Sequence, residues 1–242
     1  IGHDRLRELS PSLVLCSISS FGEAGPMRDL PAFDLVVQAW SGAMSLTGEP
    51  GAPPSRLGVP LGDLAGGSYA ALAIAAALVR RGRTGRGERI ELSLLDCLTA
   101  MHTYVAQYHF ADGRVPGPQG SRHMSVVPYG AFPTREGWLA IGVFTERFWV
   151  GFCRALERAE WADDPRYASN ELRVRNRGTI EASIGEVLRA RTAVEWLARL
   201  NEEGIPAAPV LTLDQTLDLP QLAQRGMVAS IEHPVAGHVK TL

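Results

Sequence analysis

One carboxylate in the sequence has surroundings suited to nucleophilic chemistry. Asp63 stands before a long apolar stretch and close to Gly66 and Gly67, in GVPLGDLAGGSYAALAIAAALVRR. As a helix N-cap, Asp63 would accept backbone N–H groups and gain from the helix dipole. A cap does not need two glycines in the first turn, where glycine costs up to about 1 kcal/mol relative to alanine. Together with Gly62, the pair favours a nucleophilic or basic carboxylate that a substrate can approach closely.

The elements that must position Asp63 alternate between strand and helix. LVLCSI predicts a buried strand at 13–18, AFDLVVQAWSGAM has helical spacing and stops at Gly48, a helix follows from about Leu64 to Arg81, and RIELSLL alternates like a strand. We therefore expect an α/β fold with a parallel sheet flanked by helices. A glycine- and proline-rich stretch follows, and after it two strands joined at Arg135–Gly137 and several helices indicate a smaller α+β domain.

These patterns predict four segments. Residues 1–110 would form part of a large α/β domain, 111–128 a linker, 129–206 a small α+β domain, and 207–242 a linker that returns towards the large domain. Because the chain opens on Ile1 and ends within GHVKTL, without a turn or polar tail, we expect a fragment that lacks an N-terminal part.

Composition excludes several functions. A net charge of −2 gives no surface for nucleic acid. Three cysteines without CxxC spacing predict neither a zinc site nor a disulfide framework, and they favour a reducing cytoplasm. No cluster of histidine, cysteine or carboxylate residues has metal-ligand spacing, so we expect no metal. The longest apolar run, Tyr69–Val79, is shorter than the roughly 20 residues of a bilayer span, so we expect no membrane partner.

Motifs along the whole chain carry a family resemblance. They are FGEAGP at 21–26, QAWSGAMSLTG at 38–48, DLAGG at 63–67, and TGRG followed by SLLD at 93–96. They resemble the central signature of the class III CoA-transferases, the CaiB/BaiF family of formyl-CoA transferase and the carnitine CoA-transferases. The later VVPYGAFPTREGWLAIGV and WADDPRYASNELRVRNR resemble the small domain of that family.

The resemblance implies a fold, a reaction and a partner. It implies a partial Rossmann-like large domain, a smaller α+β domain and an interlocked homodimer, with CoA contacts in a missing N-terminal part. Asp63 would be the nucleophile that passes through a mixed anhydride and an aspartyl-CoA thioester. The substrates would be an acyl-CoA and a small carboxylic acid, without a tightly bound cofactor. The enzyme would be cytoplasmic.

The resemblance also marks further site residues. Gly62, Gly66, Gly67 and Leu94 would surround the acyl group and CoA. Phe33 stands where related α-methylacyl-CoA racemases have a histidine, and it would either pack in the core or line the CoA thiol channel. Two residues of GSRHMSVVPYG would bind a substrate carboxylate; they are Arg122 and His123.

GSRHMSVVPYG lacks the glycine run of the formyl-CoA enzymes, and this difference favours substrate acids of the succinate, malate or glutarate kind.

Two alternatives to this transferase stay open. A racemase needs two proton-transfer groups, and Phe33 cannot supply one. A catalytically silent acyl-CoA-binding relative, with Asp63 as a cap only, is the other alternative.

Overall fold

The computed structural model describes residues 2–242, and the chain divides between Gly120 and Ser121 into two units. The division falls inside the segment 111–128 that the sequence predicts as a linker. Helix continues into this segment as far as Asp112, so its first two residues belong to a regular element.

Strands and helices alternate in the first unit. They are α1 (His3–Leu9), β1 (Leu15–Ser19), α2 (Asp34–Trp40), α3 (Ala43–Leu46), α4 (Leu61–Thr84), β2 (Arg89–Ser93), α5 (Leu94–Ala100) and α6 (Thr103–Asp112). β1 and β2 pair in parallel, from Leu15 opposite Arg89 to Ser19 opposite Ser93. The predicted parallel pairing and mixed α/β fold are therefore confirmed.

Helix α4 is the longest element, and it begins three residues before the predicted start. It ends where Gly85 adopts a φ of +68° and donates its N–H to the Arg81 carbonyl, a helix end that favours glycine. Its buried face carries small residues only, namely Gly62, Ala65, Gly66, Ala70 and Ala77. Small side chains let α4 approach β1, β2, α2 and α5 closely, and all four contact it.

Length and composition alone would allow α4 to cross a membrane, and within residues 2–242 it is the one helix of which this is true. The apolar run Tyr69–Val79 lies within α4 and is shorter than a bilayer span, although the helix around it is long enough. One such helix is weak evidence for a membrane protein, because core helices of other proteins meet the same criterion.

The second unit is built on an antiparallel sheet covered by helices. Its elements are β3 (Tyr129–Pro133), β4 (Trp138–Gly142), α7 (Glu146–Ala155), α8 (Glu160–Asp163), α9 (Asn170–Arg175), α10 (Arg177–Leu188), α11 (Ala193–Glu202), β5 (Ala207–Pro209), α12 (Leu213–Leu217), α13 (Pro220–Gln224), β6 (Ala229–His233) and β7 (Gly237–Thr241). The sheet order is β3-β4-β5, and β6 and β7 form a separate hairpin. The predicted turn at Arg135–Gly137 is confirmed, since it joins β3 to β4.

The segment 207–242 differs from the expected linker. Residues Ala207–Pro209 form β5, which pairs with β4 and so belongs to the sheet of the second unit. The boundary at 206 therefore cuts through that sheet. Two short helices and the β6–β7 hairpin occupy most of the remaining residues.

The second unit has a continuous apolar core around one buried arginine. Eighteen buried hydrophobic side chains between Val127 and Ile205 form one cluster. The Arg173 side chain, 1% exposed, donates to the carbonyls of Val127 and Tyr167, both at 2.9 Å, and forms a bidentate pair with Glu146 at 2.8 and 3.0 Å. Burying a guanidinium is tolerated because these acceptors compensate its lost hydration.

Candidate functional site

Asp63 is the third residue of α4 and is exposed to solvent. The N-cap of α4 is Pro60, and no side chain caps the helix from that position. Within residues 2–242, the Asp63 carboxylate makes no hydrogen bond or ion pair. The N-cap interpretation of Asp63 is therefore wrong. A first-turn carboxylate still gains from the helix dipole, and its oxygens stay open to a reacting carbon.

The three glycines beside Asp63 differ in what surrounds them. A Cβ on Gly62 would lie 3.0 Å from Asp34 Oδ1, and a Cβ on Gly66 would overlap Leu94 Cδ2. A Cβ on Gly67 would have nothing within 4 Å. Gly62 and Gly66 therefore allow α4 to pack closely on α2 and α5, so packing explains Gly66 and Leu94 without a ligand. Of Gly66 and Gly67, only Gly67 leaves a surface that a substrate can approach closely.

Phe33 does not pack in the core, so that alternative is wrong. It precedes α2 as the N-cap residue, its carbonyl accepts the N–H groups of Val36 and Val37, and the residue is 85% exposed. The exposed ring is available to an apolar ligand, as the other alternative requires.

Two polar residues of α2 that no sequence motif marks as site residues lie against the start of α4. Asp34 accepts the Gly62 N–H, and the fully buried Gln38 donates to Asp34. The signal available in the sequence was the Asp34–Gln38 spacing of four residues, which places both on one side of a helix. The 28-residue separation between Asp34 and Gly62 concealed the contact.

Arg122 and His123 lie in the second unit and are held by their neighbours. Arg122 Nε donates to Glu181 Oε2 at 3.0 Å. The His123 ring contacts Tyr129 and Phe144 edge-on, with centroids 5.3 and 6.0 Å apart. Burial, and secondarily the nearby Arg177 guanidinium, lower the pKa of His123 below its usual 6.5. Neutral His123 is therefore the dominant form at pH 7.

A hydrogen bond defines which nitrogen of His123 can donate. The Ser125 N–H lies 3.1 Å from His123 Nδ1, so Nδ1 is an acceptor and the ring proton of the neutral form is on Nε2. Tyr129 and Phe144 also line a cavity of about 520 Å³, whose lining includes small residues such as Gly130, Ala140 and Ala208. This cavity belongs to the second unit alone.

The segment that contains Arg122 and His123 is tied to the helices of its own unit. Asn170 accepts the Val127 N–H at 3.1 Å and donates to the Ser125 carbonyl at 2.7 Å. Arg177 donates to the His123 carbonyl at 2.8 Å. These bonds fix the backbone around His123 without a glycine run.

The described part of the chain contains no group of three or more histidine, cysteine, aspartate or glutamate residues that could hold a metal ion. Cys97 and Cys153 are buried, and burial raises the pKa of both thiols, that of Cys153 to about 12. Neither thiol is therefore suited to nucleophilic attack at neutral pH.

Known proteins are similar to this chain over nearly its whole length. Human succinyl-CoA:glutarate CoA-transferase is 31% identical over 239 residues, which cover 99% of this chain and 55% of the relative. Acetyl-CoA:oxalate CoA-transferase of Acetobacter aceti is 34% identical over 227 residues, 93% of this chain and 58% of the relative. This chain therefore spans slightly more than half the length of the curated relatives it matches.

The fold has counterparts among solved structures. The crystal structure of a CAIB/BAIF family protein from Brucella suis superposes with a TM-score of 0.83 at 30% identity, covering 99% of this chain and 66% of that one. The family model described as CoA-transferase family III matches residues 1–242. The chain thus belongs to CoA-transferase family III, as its motifs indicated.

Proposed function

We propose that the protein transfers CoA from an acyl-CoA donor to a carboxylic acid, with Asp63 as the nucleophile. The observation that carries this proposal is the Asp63 carboxylate, exposed in the first turn of α4 and without a partner among the described residues. Open space beside Gly67 supports it, because a thioester could approach the carboxylate from that side. Family membership supports the reaction type.

The reaction proceeds through two covalent aspartyl species. An Asp63 oxygen attacks the thioester carbonyl carbon, the C–S bond breaks, and CoA leaves as a thiolate from a mixed anhydride. The thiolate then attacks the Asp63 carbonyl, releasing the donor acid as a carboxylate and leaving aspartyl-CoA. The acceptor carboxylate repeats both steps in reverse. No atom is oxidised or reduced, and the donor acyl-CoA, the aspartyl-CoA and the product acyl-CoA are thioesters of similar energy.

The acceptor is proposed to be a dicarboxylic acid of the succinate or glutarate type. Arg122 and His123 are proposed carboxylate-binding residues, because a guanidinium and a neutral imidazole with a proton on Nε2 both donate to carboxylates. The name of one relative supports this class, since it is a succinyl-CoA:glutarate CoA-transferase. Phe33 is proposed to line the path of the CoA thiol.

Further properties of the whole protein follow from the family resemblance. They are a Rossmann-like large domain, an interlocked homodimer, a cytoplasmic location, coenzyme A as substrate and no tightly bound cofactor. Membership of CoA-transferase family III supports each of these properties, and each is a proposal for the full-length protein.

A transfer assay on the full-length protein tests the function. Succinyl-CoA would be incubated with glutarate, and the CoA esters quantified by liquid chromatography and mass spectrometry. Asp63→Asn should lower the rate at least about 1000-fold, since it removes the nucleophile. The matched control is Asp96→Asn, because Asp96 is also the exposed third residue of a helix.

Other outcomes would redirect the assignment. Equal loss in both variants would show that the effect is not specific to Asp63. Exchange of the α-proton of an acyl-CoA with deuterated water, without any CoA transfer, would support the racemase instead. Unchanged activity in Asp63→Asn would exclude Asp63 as the nucleophile.

A further inference from the structure

Each oxygen of the Asp34 carboxylate accepts one hydrogen bond. Its Oδ1 accepts the Gly62 N–H at 2.8 Å, and its Oδ2 accepts a hydrogen bond from Gln38 Nε2 at 2.6 Å. Asp34 therefore differs from Asp63, although both carboxylates lie next to the first turn of α4. The Asp34 carboxylate makes structural hydrogen bonds, and the Asp63 carboxylate remains available to a substrate.

Gln38 extends this contact to the segment before α4. Its amide is completely buried, and its Oε1 accepts the Leu57 N–H at 2.8 Å. The Leu57–Gln38–Asp34–Gly62 chain of hydrogen bonds thus joins α2 to two points that flank the start of α4. We refer to these four residues as the brace.

The start of α4 needs such support from another element. N–H groups in the first turn of a helix have no intrahelical acceptor, and the N-cap residue Pro60 has no side-chain oxygen to supply. Asp34 provides the missing acceptor across 28 residues of sequence. Because Gly62 directly precedes Asp63, the bond that holds Gly62 also fixes the backbone from which the Asp63 side chain projects.

We propose that Asp34 and Gln38 are positioning residues that hold the first turn of α4 and thereby the direction of the Asp63 carboxylate. This inference rests on the proposed function for its catalytic consequence, while the brace itself does not depend on any substrate. A misplacement of a reacting group by about 1 Å can lower a rate by about 100-fold, so a brace at this position affects catalysis.

The directions of the hydrogen bonds provide a specific test. In Asp34→Asn the new amide must face either the Gly62 N–H or the Gln38 amide, and both are donors. In Gln38→Glu the new carboxylate faces Asp34 Oδ2, an acceptor that carries the same charge. In the double variant, the amide introduced at position 34 would accept from Gly62 and donate to the carboxylate introduced at position 38. That carboxylate would still accept from Leu57, so all three bonds and the net charge are restored.

The first measurement is amide hydrogen exchange at Gly62 and Leu57 in the full-length protein without substrate. Each single variant should increase exchange at these amides at least about 10-fold, because their protection depends on the brace. The double variant should return to within about 3-fold of the parent, and Asp96→Asn should leave both amides unchanged. Unaffected exchange in the single variants, or no recovery in the double variant, would overturn the brace.

The second measurement is steady-state CoA transfer, made well below the melting temperature of every variant. Each single change should lower kcat about 10- to 100-fold with KM within about 2-fold, and the double variant should recover. Altered exchange with unchanged kcat would overturn the positioning role, because a merely structural brace gives that result. A parent protein without transfer activity would instead contradict the proposed function, and exchange alone would then decide the brace.

Discussion

The two units are nearly equal in length but bury apolar side chains to very different extents. The second contains a cluster of eighteen buried hydrophobic residues, whereas the buried cluster around α2 and α5 in the first joins only Val37, Ala43 and Leu98. Large apolar side chains on the first unit stay open to solvent, among them Phe33 before α2 and Leu72 on α4. The second unit has a self-contained core, and the first offers exposed surfaces for ligands or other protein.

The two units also differ in how their buried and exposed polar side chains are partnered. In the second unit, Arg173 and Asn170 satisfy backbone and side-chain partners and hold one conformation. In the first unit, the Asp34–Gln38 pair does the same, but Asp63 beside it has no partner among the described residues. A carboxylate without a structural partner is available to react with a substrate. This difference between Asp34 and Asp63 supports the proposed role of Asp63 as the nucleophile.

The largest expected effect comes from separating the units at Gly120. The second unit, beginning at Ser121, should fold alone and unfold in one cooperative transition, because its core lies entirely between Val127 and Ile205. The first unit alone should lack a cooperative transition. Circular dichroism with urea titration measures both. A cooperative unfolding transition in the first unit, together with a non-cooperative one in the second, would contradict this difference between the units.

A change at Arg173 should be the next largest. Arg173→Met removes a buried guanidinium and leaves the carbonyls of Val127 and Tyr167 without their donor, so the free energy of unfolding should fall by about 3 kcal/mol. The control is Arg166→Met, since Arg166 is exposed and pairs with Asp164 on the surface, where about 0–1 kcal/mol is expected. Equal losses in urea unfolding would contradict the account.

In the first unit, Gly67→Ala should raise stability and lower activity. A methyl group there meets nothing within 4 Å, and alanine favours a helix by up to about 1 kcal/mol over glycine. If substrate approaches along this surface, the methyl should nevertheless reduce transfer. The paired variant Gly62→Ala should lower stability, because its Cβ would crowd Asp34 Oδ1. Full activity in a stabilised Gly67→Ala protein would remove Gly67 from the site.

The smallest effect concerns pH and the second unit. Hydrogen bonds from Arg173 hold the pKa of Glu146 below its usual value, so the unfolded state binds the proton more readily. The resulting stability is present above pH about 4.5 and is lost as the pH falls through the lowered pKa. Because Glu146 is half-exposed, less than about 1 kcal/mol is expected. Glu146→Gln should flatten this part of the stability–pH curve, and an unchanged curve would exclude the linkage.

Local signals in the sequence predicted much of the fold. The Thr145 side chain accepts the Phe148 N–H at the start of α7, and Thr192 and Glu195 form a capping box at the start of α11. Gly204, where φ is +66°, follows the end of α11. Each signal involves groups within a few residues of each other, so the sequence window contains both partners.

Contacts between distant segments were harder to predict. The acceptor at the start of α4 comes from Asp34, 28 residues earlier, so Asp63 was mistaken for a possible cap. The three residues of β5 are too few to show a periodic pattern, and only their pairing with β4 defines the strand.

The proposed mechanism depends most on a covalent bond between Asp63 and the transferred group. The most direct measurement incubates the full-length protein with succinyl-CoA, traps with hydroxylamine or borohydride, and locates the modification by peptide mass spectrometry. We expect a hydroxamate or reduced side chain at Asp63 alone, with no modification in Asp63→Asn. Trapping at Asp34 or Asp96 instead, or none with any of several acyl-CoA donors, would contradict the claim.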